Sequence, residues 1–465
     1  MTDPASVPLL CLEIARLQRR FEVLSFTATE AISQPFLFEI EIIGDGFYLD
    51  LTSIMYLPAF LNFGNQHGTH GQIQAATRKH YQSGPECYTV RLGPRLNCLG
   101  LRHNSRLFQH MSAVRIITQV MEEHGLKKSF RFDLRTDCHE RESCVQYQES
   151  DLQLVQRLCA EENIHYLFIH SRRRHELIFG KGLHGFQRSP IAPWRQFAGQ
   201  PGVTRFAVTD AHSAVPGSRA GQYATGRSTL PFVSCGQLLP LAGHPEKRWN
   251  RLWLITGVRH RFTATEGGAE RYLNRFEAIP WEAGFSTPAP LPRHPVAPLQ
   301  QGWIVGTRDE PTRPDASGRV PVHLEWCSQP ASKPDSCYWL HLAPGLSLEC
   351  RGGMAVLIGF PDDDRTPPQI IGYLPEQALE VPVEATSESI DSLHMLLDWP
   401  LTSGTELQLQ LGDGPTVYLD EGSSLTVDAG ASHVHIDHDG MTLSSPRISF
   451  TSKTNDIESD PEASQ

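Results

Sequence analysis

Apolar residues in much of this chain recur at every second position, in short runs bounded by Gly, Pro, Asp and Ser, the pattern of strands with one buried face. Phe36-Leu-Phe-Glu-Ile-Glu-Ile-Ile43 is an early case, and Ile164-His-Tyr-Leu-Phe-Ile-His170 with Glu176-Leu-Ile-Phe179 reads as two strands around Arg172-Arg173-Arg174. Helical spacing is clear twice. One helix is predicted from Ser112 to about His124, with Val114, Ile117, Val120 and Met121 as its apolar residues, Ser112 at the N-cap and Gly125 placed to end it. The second starts at Ser150-Asp151, keeps Leu154, Val155, Leu158 and Cys159 on one face and stops near Asn163. The predicted fold class is mainly β.

The pattern also divides the chain. Residues 1–290 form the first block, and prolines at 288, 290, 292, 295 and 298 then make a stiff linker, because each fixes φ and removes a donor. Residues 300–375 give short strands divided by Pro, Asp and Gly turns, as in a small β-barrel, and Pro321 within one of them implies an edge or a bulge. Residues 376–404 lack periodicity and read as a connector. From 405 to 452 alternation returns with Leu407, Leu409 and Leu411, then Val417 and Leu419, Leu425 and Val427, Val434 and Ile436, Met441 and Leu443, Ile448 and Phe450, punctuated by Gly414, Gly422, Gly430 and Gly440. Strands this short, with two or three apolar side chains each, make a poor core for one chain. Two or more copies must share it, and a three-sided prism with one ribbon per face, a triple-stranded β-helix formed by a trimer, is the economical answer. Residues 453–465, with Asp456, Glu458, Asp460 and Glu462, are expected to be a disordered acidic tail.

Composition narrows the function. A net charge of −11 argues against general affinity for nucleic acid or anionic lipid, either of which requires clustered Lys and Arg. Arg172-Arg173-Arg174 reads as a solvated hairpin tip. The ten cysteines, from Cys11 to Cys350, contain no CxxC pair and read as reduced, mostly buried thiols. Met1 to Leu10 lacks a basic n-region, and no segment approaches the roughly 18 apolar residues that cross a bilayer. Synthesis in the cytoplasm without a signal peptide is the expectation.

Candidate chemistry is sparse. Gly180-Lys-Gly-Leu-His-Gly185 matches GxGxxG after a strand, but Pro190 and Pro193 stand where the phosphate-binding helix should begin. HExxH and GxSxG are both absent. Glu376, Glu380, Glu384 and Glu388 occupy Ser- and Pro-containing text with no means of raising a carboxyl pKa. No catalytic, cofactor-binding or metal-binding residue is assigned. The sharpest alternative is His433-Val434-His435, with His438 nearby, because a threefold prism would bring 2 × 3 imidazoles to an axial metal; alternation with Val434 and Ile436 argues that these histidines face water instead.

Particular motifs carry a family resemblance. Arg106-Leu-Phe-Gln109, Arg141-Glu-Ser-Cys-Val-Gln-Tyr-Gln-Glu-Ser-Asp151, Arg157-Leu158 and Glu161-Glu162-Asn163-Ile164-His165-Tyr166 resemble, in order and spacing, the successive motifs of the hub domain of VgrG, the valine-glycine repeat protein G family of type VI secretion spikes. Asn163 stands where that family has Gly, a tolerable exchange where a helix ends in the left-handed conformation. Asp315-Ala-Ser-Gly-Arg-Val-Pro-Val-His-Leu-Glu-Trp326 and Gly359-Phe-Pro-Asp-Asp-Asp-Arg-Thr-Pro-Pro-Gln-Ile-Ile-Gly372 are similar to the family's small barrel. The resemblance implies a phage tail hub-like domain of β-barrels with helical insertions, an OB-type barrel and the trimeric β-helix. It implies a structural spike rather than an enzyme, assembled in a bacterial cytoplasm and exported by the contractile machine. Implied partners are a homotrimer, a hexameric tube protein, a tip-capping protein and an effector or adaptor, with transient membrane penetration and no nucleic acid. A contractile phage or tailocin hub-spike is the near alternative, a spike-borne hydrolase toxin the remote one.

Overall fold

The computed structural model describes residues 10–374, apart from 18, 45–47, 65–66, 80–85, 136–137, 197–199, 211–220, 265–269, 289–295, 309, 328–336, 347–348 and 362–365, together with five strands between 407 and 444. The chain divides into two units, Met1–Gln377 and Ala378–Gln465. The expected connector and tail, Glu376 to Glu388, His438, Ile448 and Phe450 lie outside the described residues.

The first unit is built on a 13-stranded sheet organised by the long strand Arg20–Ala31. Phe21, Val23, Phe26 and Ala28 are buried while Glu22, Thr27 and Thr29 are exposed, as the two-residue period requires. Its first residues pair with Cys11–Ile14, and its middle pairs with Leu37–Ile43. From there the pairing runs through Cys87–Gly93, His67–Lys79 and Pro58–Gly64 back to Cys11–Ile14, so six strands close a ring around Phe21, Phe26, Phe36, Phe38 and Tyr88. The last residues of Arg20–Ala31 pair with Leu252–Ala264, which leads through Glu270–Pro280 and Gln222–Ser228 to Val203–Asp210. Gln237–Ala242 adds to the start of Leu252–Ala264 and pairs with Ala192–Pro193, and a bridge between Trp194 and Val203 completes a second ring around Phe206, Val233, Trp253 and Phe276.

Three helices join this sheet: α1 (Leu51–Ile54), α2 (Ala113–Glu123) and α3 (Asp151–Glu161). The two longer ones match the sequence reading. Ser112 caps α2 by accepting from the Arg115 N–H at 3.3 Å, and Gly125 follows its end with φ 68°. Ser150 and Gln153 form a reciprocal capping box on α3. Ile116, Ile117 and Val120 of α2 pack with Leu154, Val155 and Leu158 of α3 over the hairpin Ile164–His170/His175–Lys181. Arg172 at that hairpin's tip is ion-paired with Glu13 at 2.9 Å. None of the ten cysteines is joined in a disulfide, and six of them are buried.

Leu299–Ile304, Arg319–Leu324, Tyr338–Leu342, Ala355–Gly359 and Gln369–Tyr373 form a closed barrel. Numbered along the chain, its strands lie in the order 1-2-3-5-4, with the third and fifth parallel, as in an OB-type barrel. Pro321 corrects the edge-or-bulge expectation: its strand is paired on both sides without a register shift. It stands one residue beyond Ile304↔Val322, the last rung to Leu299–Ile304, where its carbonyl still accepts from the Val305 N–H at 2.9 Å and no donor is needed.

In the second unit Leu407–Gln410, Thr416–Asp420, Ser424–Ala429, Ser432–Asp437 and Gly440–Ser444 form an antiparallel ladder, each strand paired with the next. The register aligns Leu409, Val417, Val427, Val434 and Leu443 on one line of rungs and Leu407, Leu419, Leu425, Ile436 and Met441 on another.

Candidate functional site

The motif residues converge where α2 and α3 meet the small barrel. Between them runs a two-stranded ladder, His103–Ser112 with Glu140–Ser150. Its rungs alternate in allegiance, as strand geometry demands. Leu107↔Val145 belongs to the barrel core, with Val322 and Val356, whereas Phe108↔Cys144 belongs to the helix core. One pleated ribbon thus serves two cores.

Next along is Arg106↔Gln146, both buried, beside Asp151, which is fully buried at the first turn of α3. Asp151 accepts from Gln146 Nε2 at 2.9 Å, Asn104 Nδ2 at 3.0 Å, Arg102 Nε at 2.5 Å and Arg106 Nη2 at 3.2 Å, with His124 Nε2 at 2.8 Å. Burial alone would raise its pKa, but these hydrogen bonds outweigh it and hold the carboxyl down at about 2. Arg106 reaches both Glu123 oxygens, at 3.0 and 2.8 Å, and donates Nε to Gln146 Oε1 at 2.8 Å. Arg157 forms a bidentate pair with Glu149 at 3.0 and 2.9 Å and donates to the Val145 carbonyl at 2.8 Å. Arg141 pairs with Glu161 and Glu162.

Gln109 performs a different task. Its Nε2 donates to the Trp339 carbonyl at 2.8 Å and its Oε1 accepts from the Trp339 N–H at 2.9 Å, so one amide satisfies both backbone groups of a barrel residue. Trp339 needs this because its strand meets Gln369–Tyr373 only later, at His341 and Leu342. Tyr338 Oη lies at 3.5 Å from the Leu107 N–H that donates to it.

This arrangement is suited to rigidity rather than turnover. The central acid is ionised, enclosed and fully engaged, so it has no proton to give and no access to a substrate. Sequence reading found Arg106, Gln109, Arg141, Asp151 and Arg157 as a family signature without their roles, and it missed Arg102, Asn104, Glu123, His124 and Trp339. Only the folded register brings those partners together.

Gly182 and Gly185 have φ 68° and 90° in a turn that enters the short strand Gln187–Arg188, so GxGxxG opens no helix. His433 pairs with Asp428 and Ser444, and His435 with Thr426 and Thr442, on rungs that alternate with the aliphatic ones. Asn163 has φ 54°, the left-handed conformation anticipated for it, and its Oδ1 accepts from both N–H and Oγ1 of Thr287, at 3.0 and 3.2 Å.

The family model of the phage tail baseplate hub (GPD) matches residues 29–223, which run from the long strand Arg20–Ala31 through both longer helices to Gln222–Ser228. The chain carries this hub domain and is a homologue of the type VI secretion spike proteins VgrG. It is 30% identical to VgrG4b of Pseudomonas aeruginosa, with 88% of this chain and 61% of that protein covered, and 31% identical to VgrG5 of the same organism, with 88% and 63% covered. It therefore spans about three fifths of these relatives' length. In fold it matches the c3393 protein of E. coli, described as a component of the type VI secretion system with structural similarity to the T4 tail proteins gp27 and gp5, at a TM-score of 0.65 and 22% identity over 78% of this chain and 99% of that one.

Proposed function

We propose that this chain is the hub and spike subunit of a type VI secretion system, acting as a trimer that caps a tube of hexameric rings, is driven through target envelopes when the sheath contracts, and carries effectors. The observation that carries the reading is the junction. An axial thrust on the hub must reach the barrel through His103–Ser112/Glu140–Ser150, and this ribbon is locked by buried ion pairs on one side and the Gln109–Trp339 clamp on the other. Homology to proteins named as spikes supports it. The ladder beyond residue 407 offers two aliphatic lines of rungs per chain, which three copies would enclose as a β-helix. In this reading no residue is a catalyst, and the chain is assembled in the bacterial cytoplasm and exported by the machine.

Native mass spectrometry at micromolar concentration should give about three times 52.0 kDa; a monomer sinks the trimeric spike. Restoring the gene to a deletion strain should restore contraction-dependent release of the tube protein. Cleavage of peptidoglycan or lipid by the purified protein would overturn the non-enzymatic part alone. The match to the phage tail baseplate hub keeps a phage or tailocin spike as the second reading, decided by whether secretion ATPase or capsid genes lie alongside.

A further inference from the structure

Four arginines from four neighbouring strands stand on one rung of the large sheet. Arg205 is opposite Arg227, Arg227 opposite Arg275, and Arg275 opposite Arg259. Residues so paired share a face, and all four are exposed, while Phe206, Val258 and Phe276 beside them are buried on the other face. Arg261, two residues beyond Arg259, extends the same exposed face. At about 4.8 Å per strand the row is roughly 15 Å long. Among the described residues none of the five has an ion-pair partner. Grooves of about 680 and 460 Å³ flank the row and share Arg227, Arg259 and Arg275 as walls.

Like charges directly opposite each other destabilise a sheet. A row of four is retained at a cost in stability, which is the signature of a surface shaped for a partner. Guanidinium forks fit carboxylates and phosphates equally well, so the surroundings must decide. Glu277, exposed on this face two residues after Arg275, would repel the dense charge of a polyphosphate lying along the row. No exposed aromatic lines either groove for a base to stack on. Carboxylates spaced along a protein surface meet both conditions. A helix bearing one acid per turn repeats every 5.4 Å or so, close to the strand spacing. No described strand of a second copy supplies a matching row: among these strands no rung sets two acidic residues opposite each other, Glu39, Glu41, Glu277, Asp420 and Asp428 all facing neutral or basic partners.

We propose that the Arg205–Arg227–Arg275–Arg259 row is a docking surface for another protein, one that presents three or four carboxylates in line on a helix. The inference stands whether or not the chain is a secretion spike.

The test uses the full-length protein in its native oligomeric state and a fluorescent 15-residue, glutamate-rich helical peptide as probe. Anisotropy should report binding that weakens with added salt and falls about tenfold or more in Arg227→Glu/Arg275→Glu. A second variant, Arg227→Thr/Arg275→Thr, should lose binding yet melt about 2 °C higher, because it removes like-charge contacts and places a good strand former there. Unchanged peptide affinity in both variants would overturn the proposal. So would tighter binding of inorganic polyphosphate of equal charge, which would make the row a phosphate site, or a change in native mass in either variant, which would make it a contact between copies.

Discussion

Residues 1–377 carry 39 Lys and Arg against 36 Asp and Glu; residues 378–465 carry two against 16. The aromatic residues divide as unevenly, since only Trp399, Tyr418 and Phe450 fall in the second stretch. The first unit wraps its sheets into rings around large side chains and sinks charges such as Asp151 and Arg106 inside, where each finds its partner within the same chain. The described strands of the second repeat one simple ladder of aliphatic and polar rungs. The contrast separates two ways of making a stiff β structure. One is irregular and self-sufficient, with specificity in buried polar contacts; the other is regular and, in the proposed trimer, completed only by other copies.

The strongest test breaks the second mode without touching the first. Val427→Asp would put three carboxylates into the interior of the proposed β-helix, each costing several kcal/mol to bury. It should abolish the trimer by native mass or at least unravel the spike to protease, whereas Thr426→Asp, on the neighbouring rung, should leave both unchanged. Equal damage from the two would refute the parity of the ladder.

Acid should act on the first unit. His175 Nε2 accepts the Arg95 N–H at 3.3 Å, so the neutral ring carries its proton on Nδ1, from which it can donate to His70 Nδ1 at 3.1 Å. Burial, with the neighbouring charges of His170, His70 and Arg95, pushes His175 down to about 3; burial and His170 push His70 to about 4. Burial likewise takes His165 to about 4. Between pH 6.5 and about 4 the unfolded chain therefore binds protons that the folded chain excludes, so stability present above pH 6.5 is lost as pH falls. Asp151, held at about 2, adds a further loss below about pH 4 as its carboxylate is protonated. Melting followed by tryptophan fluorescence should show a midpoint falling steadily below pH 6.5; His70→Phe/His175→Leu should flatten the upper part of that slope.

Within the junction, Asp151→Ala removes the acceptor shared by the buried Arg106 and Gln146 and the half-exposed Arg102, leaving Glu123 as the only carboxylate for both arginines, and should cost about 3 kcal/mol, read from urea unfolding of the first unit. Gln109→Ala leaves only the N–H and C=O of Trp339 without their partner, and about 1–3 kcal/mol is expected.

How much of this was legible beforehand follows the same division. Both longer helices could be placed because Ser112 and Ser150 cap them locally and their apolar spacing repeats. The small barrel's turns and the second unit's alternation are likewise written in consecutive residues. The ring closures were not legible, since Cys11 with Asn62 and Ala192 with Leu241 meet by long-range pairing. Neither was the arginine row: Arg205, Arg227, Arg259 and Arg275 look like scattered surface charges until the register sets them side by side. Pro321 misled because a strand-interior proline usually marks an edge, whereas here a neighbouring strand simply stops one residue short.

The smallest predicted effect concerns the one clear departure from the family motif. Asn163 spends conformational energy in a left-handed backbone, on the order of 1 kcal/mol that Gly would save. In return its Oδ1 holds Thr287, whose hydroxyl also lies 3.2 Å from the Ala160 carbonyl at the end of α3. Thr287 precedes the proline-rich linker, so this small cluster ties the linker's root to the helix that bears Asp151. Asn163→Gly trades two hydrogen bonds, each worth about 1 kcal/mol, for relief of strain, and should shift stability by less than about 1 kcal/mol. Asn163→Ala loses the bonds and keeps the strain, so about 2–3 kcal/mol is expected. Equal urea midpoints for the two variants would show that the left-handed backbone holds no strain at this position, whereas Asn163→Gly more stable than the parent by the full ~1 kcal/mol would show that the Asn163 side-chain carbonyl contributes nothing.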